Sequence, residues 1–356
     1  MQRLKKNSSL LLILTAIVTI IIINISCNDN PVGPGNEPPP GRRDYEWTVD
    51  TLKPDGDYIT YMFNMWGSSP TDIWLVGSAD TRLHAVWHYD GINWYPVVLD
   101  EPVNCAGLWG FAPNDIWMGT TNSQIWHYDG SSWKKFGTYP YKDFDRVLIQ
   151  RIHGQKPDDI YAVGWADRYN HFGYHGVILH YDGTDWKYKE FGTVEENFGS
   201  VFVDKDVKVP IILSRDFNST TAGNVIYKYE DSSLVELYRG GDHVSLGQVD
   251  GKVIMSIDKL GTLTDKVLYG FNGTSLVKYK DFPFINFGGH VTGRNSNDIF
   301  CSTSDWHLGH YDGTNLADLI KTNINIAEIL LFDKYIFVWG IDVDSNYDTI
   351  YKGRLK

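Results

Sequence analysis

The side chains best suited to gripping a ligand are crowded into one stretch: Trp165, Asp167, Arg168, Tyr169, Asn170, His171, Phe172, Tyr174 and His175. Aromatic faces stack on a sugar ring or a peptide plane, and a few polar groups among them fix orientation. Tyr139, Tyr141, Asp143 and Phe144 lie just upstream; Phe282, Phe284, Phe287, Asp305 and Trp306 lie further on. Trp165, Asp167, Tyr169, His171, Tyr174, His175, Tyr141 and Trp306 form the candidate ligand rim, with loop packing as the competing reading. A second pattern, Asp342-x-Asp344-x-Asn346-x-Asp348, sets an oxygen at every other position, as a calcium ion would use. Tyr347 stands where a calcium loop needs glycine and no glutamate follows at the right distance, so a polar turn competes. No other cofactor is implied. No nucleophile elbow, phosphate loop, Cys-x-x-Cys or His-Glu-x-x-His pattern occurs, and no acid pair is spaced to share a cleft.

These residues interrupt a phrase that repeats. It runs from Trp66-Gly67 through Pro70, Asp72-Ile73-Trp74 and Val76-Gly77 to His88-Tyr89-Asp90-Gly91 and Trp94. A second copy begins 43 residues later at Trp109-Gly110 and ends at Trp133. A third runs from Gly154 through Asp159-Ile160-Tyr161 to His180-Tyr181-Asp182-Gly183 and Trp186, and a fourth from Gly293 to His310-Tyr311-Asp312-Gly313. Several short strands in each 40–50-residue unit point to an all-β fold, a β-propeller. Each unit reads as four strands, A to D. Asp90-Gly91 reads as a two-residue hairpin turn with both residues at positive φ, and Asp72, Asp115, Asp159 and Asp298 as acceptors of turn amides. Residues that recur in every unit serve the unit, so His88, His127, His180 and His310 are assigned to structure rather than to a shared metal. Three diverged units keep the strand rhythm, and the last, Ile329 to Lys352, lacks a fourth strand. Glu46-Trp47-Thr48-Val49 supplies it. The expectation is a seven-bladed propeller over 45–356, closed by its N-terminal strand and with no open edge.

Ahead of the repeats, residues 1–27 form a targeting segment, with Arg3, Lys5 and Lys6 before an apolar run from Leu10 to Ile23. Ser26-Cys27 resembles the lipobox of bacterial lipoproteins, which implies lipidation of Cys27 and a cell-envelope location, periplasmic or on the outer-membrane surface. Residues 28–44 carry five prolines and read as an extended tether. Cys105 and Cys301 fall in separate units and are expected as two buried thiols. A formal charge of −12 argues against nucleic acid as a partner.

Val76-Gly77, Tyr89-Asp90 and Trp94 at these offsets resemble the kelch pattern, with a single glycine (Gly77, Gly119, Gly164) in place of a pair. Asp-Gly-x-x-Trp is similar to the Asp-box of sialidase-like propellers. The whole resembles secreted and lipid-anchored bacterial propellers. Propellers host binders, scaffolds, lyases and hydrolases, so the fold alone selects no activity. The expected function is a monomeric, non-enzymatic binding or scaffold lipoprotein that recognises a glycan or protein on the face of the B–C loops and D–A connectors. The alternative is an extracellular carbohydrate-active enzyme, hydrolase or lyase, with its site at the mouth of the central channel.

Overall fold

The computed structural model describes residues 39–53, 60–79, 84–169, 171–216, 223–258, 266–281, 287–303 and 305–356. The targeting segment, Cys27 and the tether up to residue 38 lie outside the described residues, as do Asn170, Phe282 and Phe284. The side chains of His171, Phe172 and Phe287 are likewise outside them.

Among the described residues there is no helix, and 28 strands follow one another. After β1 (Tyr45–Thr51) the first set is β2 (Thr60–Ser69), β3 (Asp72–Ala79), β4 (Val86–Tyr89) and β5 (Trp94–Pro96). The second is β6 (Cys105–Ala112), β7 (Asp115–Thr120), β8 (Gln124–Tyr128) and β9 (Trp133–Thr138). The third is β10 (Arg146–Lys156), β11 (Asp159–Arg168), β12 (His171–Tyr181) and β13 (Trp186–Tyr188). Then come β14 (Asn197–Val203), β15 (Pro210–Asp216), β16 (Gly223–Glu230) and β17 (Ser233–Gly240). They are followed by β18 (His243–Val249), β19 (Lys252–Asp258), β20 (Lys266–Phe271) and β21 (Leu276–Asp281). The next set is β22 (Phe287–Asn295), β23 (Asp298–Thr303), β24 (His307–Tyr311) and β25 (Leu316–Lys321). The chain ends with β26 (Ile324–Leu331), β27 (Tyr335–Asp342) and β28 (Asp348–Leu355).

Each set is an antiparallel meander of strands in chain order. The sets β18–β21 and β22–β25 are joined into one sheet by a two-residue parallel pairing of their first strands, Gln248 with Thr292 and Val249 with Gly293. β1 pairs antiparallel with β28 along its whole length, Tyr45 against Leu355 to Thr51 against Thr349, and makes the fourth strand of the last sheet.

Burial follows strand position. Second strands are covered on both faces: Ile73, Leu75 and Val76 have no exposed surface. Fourth strands such as β9 are largely exposed. Apolar residues gather into clusters shared by neighbouring sets. Trp66 and Trp74 pack with Cys105, Leu108 and Trp133, and another cluster joins Met62, Ile73 and Leu75 to Phe337, Trp339 and Ile350. The second of these unites the first set with the last, so the sets form a ring, the arrangement of a β-propeller. The repeated tryptophans are its mortar: Trp74 meets Trp133 edge-on at 5.5 Å and Trp117 meets Trp186 at 5.6 Å. Large flat rings remove much apolar area from water per residue. Cys105 and Cys301 are buried in different sets and are not joined to each other.

The repeat carries out its tasks differently from the sequence expectation in two respects. The aspartates that open second strands do not accept turn amides. Asp72 Oδ1 instead accepts from His88 Nε2 at 2.7 Å and Trp74 Nε1 at 3.1 Å, because Trp74 and His88 are cross-strand partners beside it. Burial alone would raise the Asp72 pKa, but the hydrogen bonds from His88 and Ser68 outweigh it and hold it below the usual carboxylate range. His127–Asp115, His180–Asp159 and His310–Asp298 repeat the pair at 2.7–2.8 Å. The turn amides are accepted by the other aspartates: Asp90 Oδ1 takes the N–H groups of Ile92 and Asn93, and Asp182 and Asp312 do the same for their own turns. Nor is Asp90-Gly91 a two-residue turn. Tyr89 pairs with Trp94, leaving four residues between, and only Gly91 has a positive φ, +95°.

The remaining repeat glycine answers to close approach. First strands carry a β-bulge opposite it, between Met62 and Asn64 for Gly77 and between Ile149 and Arg151 for Gly164. A Cβ on Gly164 would stand 1.8 Å from the Leu148 carbonyl oxygen. The bulge adds twist and turns the next side chain inward.

Candidate functional site

That next side chain determines what lines the axis. The residue just past the bulge is Asn64 in the first set, then Gly107, Arg151 and Ser200, and Glu328 in the last. His290 stands at the same offset before its glycine, Gly293, as Asn64 does before Gly67. Four of these residues, Arg151, Ser200, His290 and Glu328, line cavities formed by the first strands.

Two such cavities lie end to end. One, of about 430 Å³, takes Asn197 from the beginning of a first strand, Gln150 and Arg151 from the middle of another, and Trp165 and Arg215 from the later parts of second strands. It opens toward the D–A connectors, the face expected from sequence. The other, of about 400 Å³, takes Trp66, Trp109, Gln248 and Arg294 from the opposite ends, near the A–B turns. Phe202, Leu246, His290 and Glu328 belong to both and mark the waist between them. At the waist Arg151 Nη1 donates to Glu328 Oε2 at 3.0 Å. His290 keeps solvent contact yet is surrounded by protein; this poor hydration lowers its pKa, Glu328 opposes the fall and Arg151 adds to it.

Below the waist His153 occupies the slot that Trp66 and Trp109 fill in earlier sets. It is buried, its Nε2 lies 3.1 Å from Gln248 Oε1, and its Nδ1 accepts the Val203 N–H at 3.1 Å. Nδ1 is therefore unprotonated and Nε2 carries the hydrogen. Burial pushes the pKa down to about 4. This histidine fastens three sets together near the axis.

The rim residues separate into groups. Trp165 lines the upper cavity, with Tyr174 edge-on to it at 5.7 Å. Tyr141 and His175 are buried, with Tyr141 Oη 3.2 Å from His175 Nε2 and the rings stacked at 5.2 Å. Asp167 is buried and accepts both Arg146 Nε at 2.7 Å and Nη2 at 2.9 Å. Tyr169 is 69% exposed, with the Arg146 guanidinium 5.4 Å from its ring centre. Trp306 is exposed on another set, at φ +67°. His171 begins β12. The insertion is not a loop but an extension of the β11–β12 hairpin: Trp165 pairs with Gly176, Ala166 with His175, and Arg168 with His171 after an irregularity. Backbone pairing explains why Asp167 and His175 turn inward while Tyr169 stays exposed.

The calcium pattern does not converge. Asp342 Oδ1 accepts the N–H groups of Asp344 and Ser345, while Asp348 lies buried with Trp339 Nε1 at 3.0 Å and Thr60 Oγ1 at 3.0 Å. Burial raises the Asp348 pKa to about 6 against those hydrogen bonds. Among the described residues no three His, Cys, Asp or Glu side chains are grouped to hold a metal.

Sequence reading missed Arg151, Arg215, His290 and Glu328. A signal existed for two of them. Aligning the repeats on their glycine puts Asn64, Gly107, Arg151 and His290 in one column, three residues before Gly67, Gly110, Gly154 and Gly293. Chemistry varies in that column while its surroundings repeat.

No family model matches this chain, and no curated protein resembles it in sequence. Solved structures do resemble it. YCF48 bound to a D1 peptide superposes with a TM-score of 0.61 at 15% identity, over 89% of this chain and 99% of that one. An oligogalacturonate lyase in complex with manganese gives 0.62 at 8% identity, over 88% and 99%. The β-propeller domain of the trilobed protease from Pyrococcus furiosus gives 0.53 at 12% identity, over 82% and 95%. At such identities the likeness shows the fold, a β-propeller.

Proposed function

We propose that this protein is a non-enzymatic binding or scaffold lipoprotein: a monomeric seven-bladed propeller, closed by β1, that captures a protein segment at the upper mouth of its axial channel. Cys27 carries the lipid, residues 28–40 are the tether, and the ring, against which Gly41 and Arg43 are held, stands outside the cytoplasm in the cell envelope. The observation that carries the reading is the upper cavity, where Trp165 and Phe202 supply apolar faces beside Gln150, Asn197, Ser200 and two arginines. Aromatic walls with a few polar groups suit an extended chain. A peptide bound to YCF48, a neighbour in fold, accords with this.

The enzymatic reading, a carbohydrate-active hydrolase or lyase, draws on His290, Glu328 and Arg151 meeting at the waist. The ion pair to Arg151 ties up the one acid there, which favours the binder. Changing Trp165, Tyr169 and Tyr174 together to Ala tests the proposal. Peptide capture should fall at least tenfold with the melting temperature little changed. Unaltered capture, or turnover of an oligosaccharide lost in His290→Ala, would overturn it.

A further inference from the structure

We infer that the upper cavity is a receptor for a chain-terminal carboxylate, with Arg215 as its principal anchor and Arg151 behind it; this rests on the peptide-binding reading above. Two guanidiniums line the cavity, Arg151 and Arg215, against one carboxylate, Glu328. Arg151 is matched by Glu328 at 3.0 Å. Arg215 is exposed within the cavity wall and has no ion pair among the described residues. The lining thus carries one unmatched positive charge, in a chain whose formal charge is −12. His290 adds no fixed charge near neutral pH, because its pKa is lowered.

The shape of the cavity decides which part of a ligand reaches Arg215. The Arg151–Glu328 pair crosses the axis between this cavity and the one below, and Phe202 and Leu246 line both. A chain end that enters from the connector face therefore reaches Arg215, near the mouth, before it meets the Arg151–Glu328 pair. An amino terminus would bring a second positive charge toward Arg215, whereas a carboxyl terminus supplies the missing negative one. Guanidinium and carboxylate match in a two-bond geometry, and that pairing strengthens where water is partly excluded. Gln150, Asn197 and Ser200 are placed to meet the backbone groups of the last residues, and Trp165 to cover an apolar side chain.

The test uses the full chain and two degenerate octapeptide libraries of the same composition, one ending in free carboxylates and the other in amides, followed by fluorescence anisotropy on captured sequences. The free-acid library should be captured and its amidated partner bound at least tenfold more weakly. Arg215→Gln should erase that difference while leaving the melting temperature unchanged. The paired change Arg151→Gln with Glu328→Gln keeps the waist neutral and should weaken the free acid less than Arg215→Gln does. Equal capture of both libraries would overturn the carboxylate receptor but leave peptide binding standing. Capture of neither, or of oligogalacturonate alone, would overturn both.

Discussion

Arg151 and Glu328 lie 177 positions apart in sequence, on first strands of sets that are not neighbours in the ring, yet their side chains meet at 3.0 Å across the axis. Each is about one-quarter exposed, so water screens the pair only in part. Arg151→Gln and Glu328→Gln should each cost about 1 kcal/mol, between the values of fully exposed and buried pairs. The double substitution should cost little more than one alone, since the second removes a charge already unpaired. Chemical denaturation of the four proteins measures this. Additive effects would mean that the two charges do not interact.

Two buried groups should pull the pH dependence of stability in opposite directions. His153 has a folded pKa of about 4, below its ordinary 6.5, so the unfolded chain binds the proton first. Its contribution is intact above pH 6.5 and is lost as pH falls toward 4. Asp348 has a folded pKa of about 6, above its ordinary 3.8, so the folded chain binds the proton first, and stability from this group rises as pH falls through 6. Between pH 7 and pH 5 each term amounts to roughly 1–2 kcal/mol, of opposite sign. Asp348→Asn should therefore lose more stability on acidification than the parent, and His153→Gln less. Denaturation midpoints at pH 7 and 5 give the comparison; parallel slopes in all three proteins would refute both assignments.

The fold was legible in sequence because its signals are local and repeated. Asp72, His88, Trp94 and their copies each act within a set or against the next one. The fourth strand of the last sheet was legible from Trp47, a strand residue with no unit of its own. The rim was read less well. Composition singled out Trp165 to His175, but whether a side chain faces the axis, the core or water depends on the pairing of β11 with β12, and so Asp167 and His175 are buried while Tyr169 is exposed. Arg215 and Glu328 lie in diverged sets lacking the flanking motif. Glu328 becomes a neighbour of Arg151 only when the ring closes.

Gly164→Ala should be among the costliest single-methyl additions. The new Cβ would meet the Leu148 carbonyl oxygen and the Gln150 nitrogen, both backbone atoms that no rotamer change can move. Overpacking of this kind costs about 1–3 kcal/mol. Gly241→Ala is the control, since nothing lies within 4 Å of its Cβ. A thermal melt of Gly164→Ala within a degree of the parent would contradict the close approach of strands at the bulge.

The proposed lipid anchor rests on Cys27 and its flanking residues. Cys27→Ala made in cells fed a labelled fatty acid should take up no label and should move from the membrane fraction to the soluble one. Labelling that persists in this variant would rule out lipidation at Cys27.

Ring closure rests on β1. It hydrogen-bonds along the whole of β28 and places Tyr45 in the cluster formed by Phe300, Leu308, Ile324 and Ile336. Deleting residues 45–51 would leave β28 with a full row of unpaired N–H and C=O groups, an edge that templates pairing with another chain. It would also withdraw the Tyr45 ring from the contact between the last two sets. Adding a synthetic peptide of the sequence 45–51 should restore the edge, because the missing contacts are backbone pairings and one aromatic face rather than a covalent link. Light scattering and thermal melting of the deletion variant, with and without the peptide, decide the matter. The expected result is concentration-dependent aggregation and a melting temperature lower by several degrees, both reversed by the peptide. A variant that stays monodisperse and melts like the parent would show that the ring holds without its N-terminal strand.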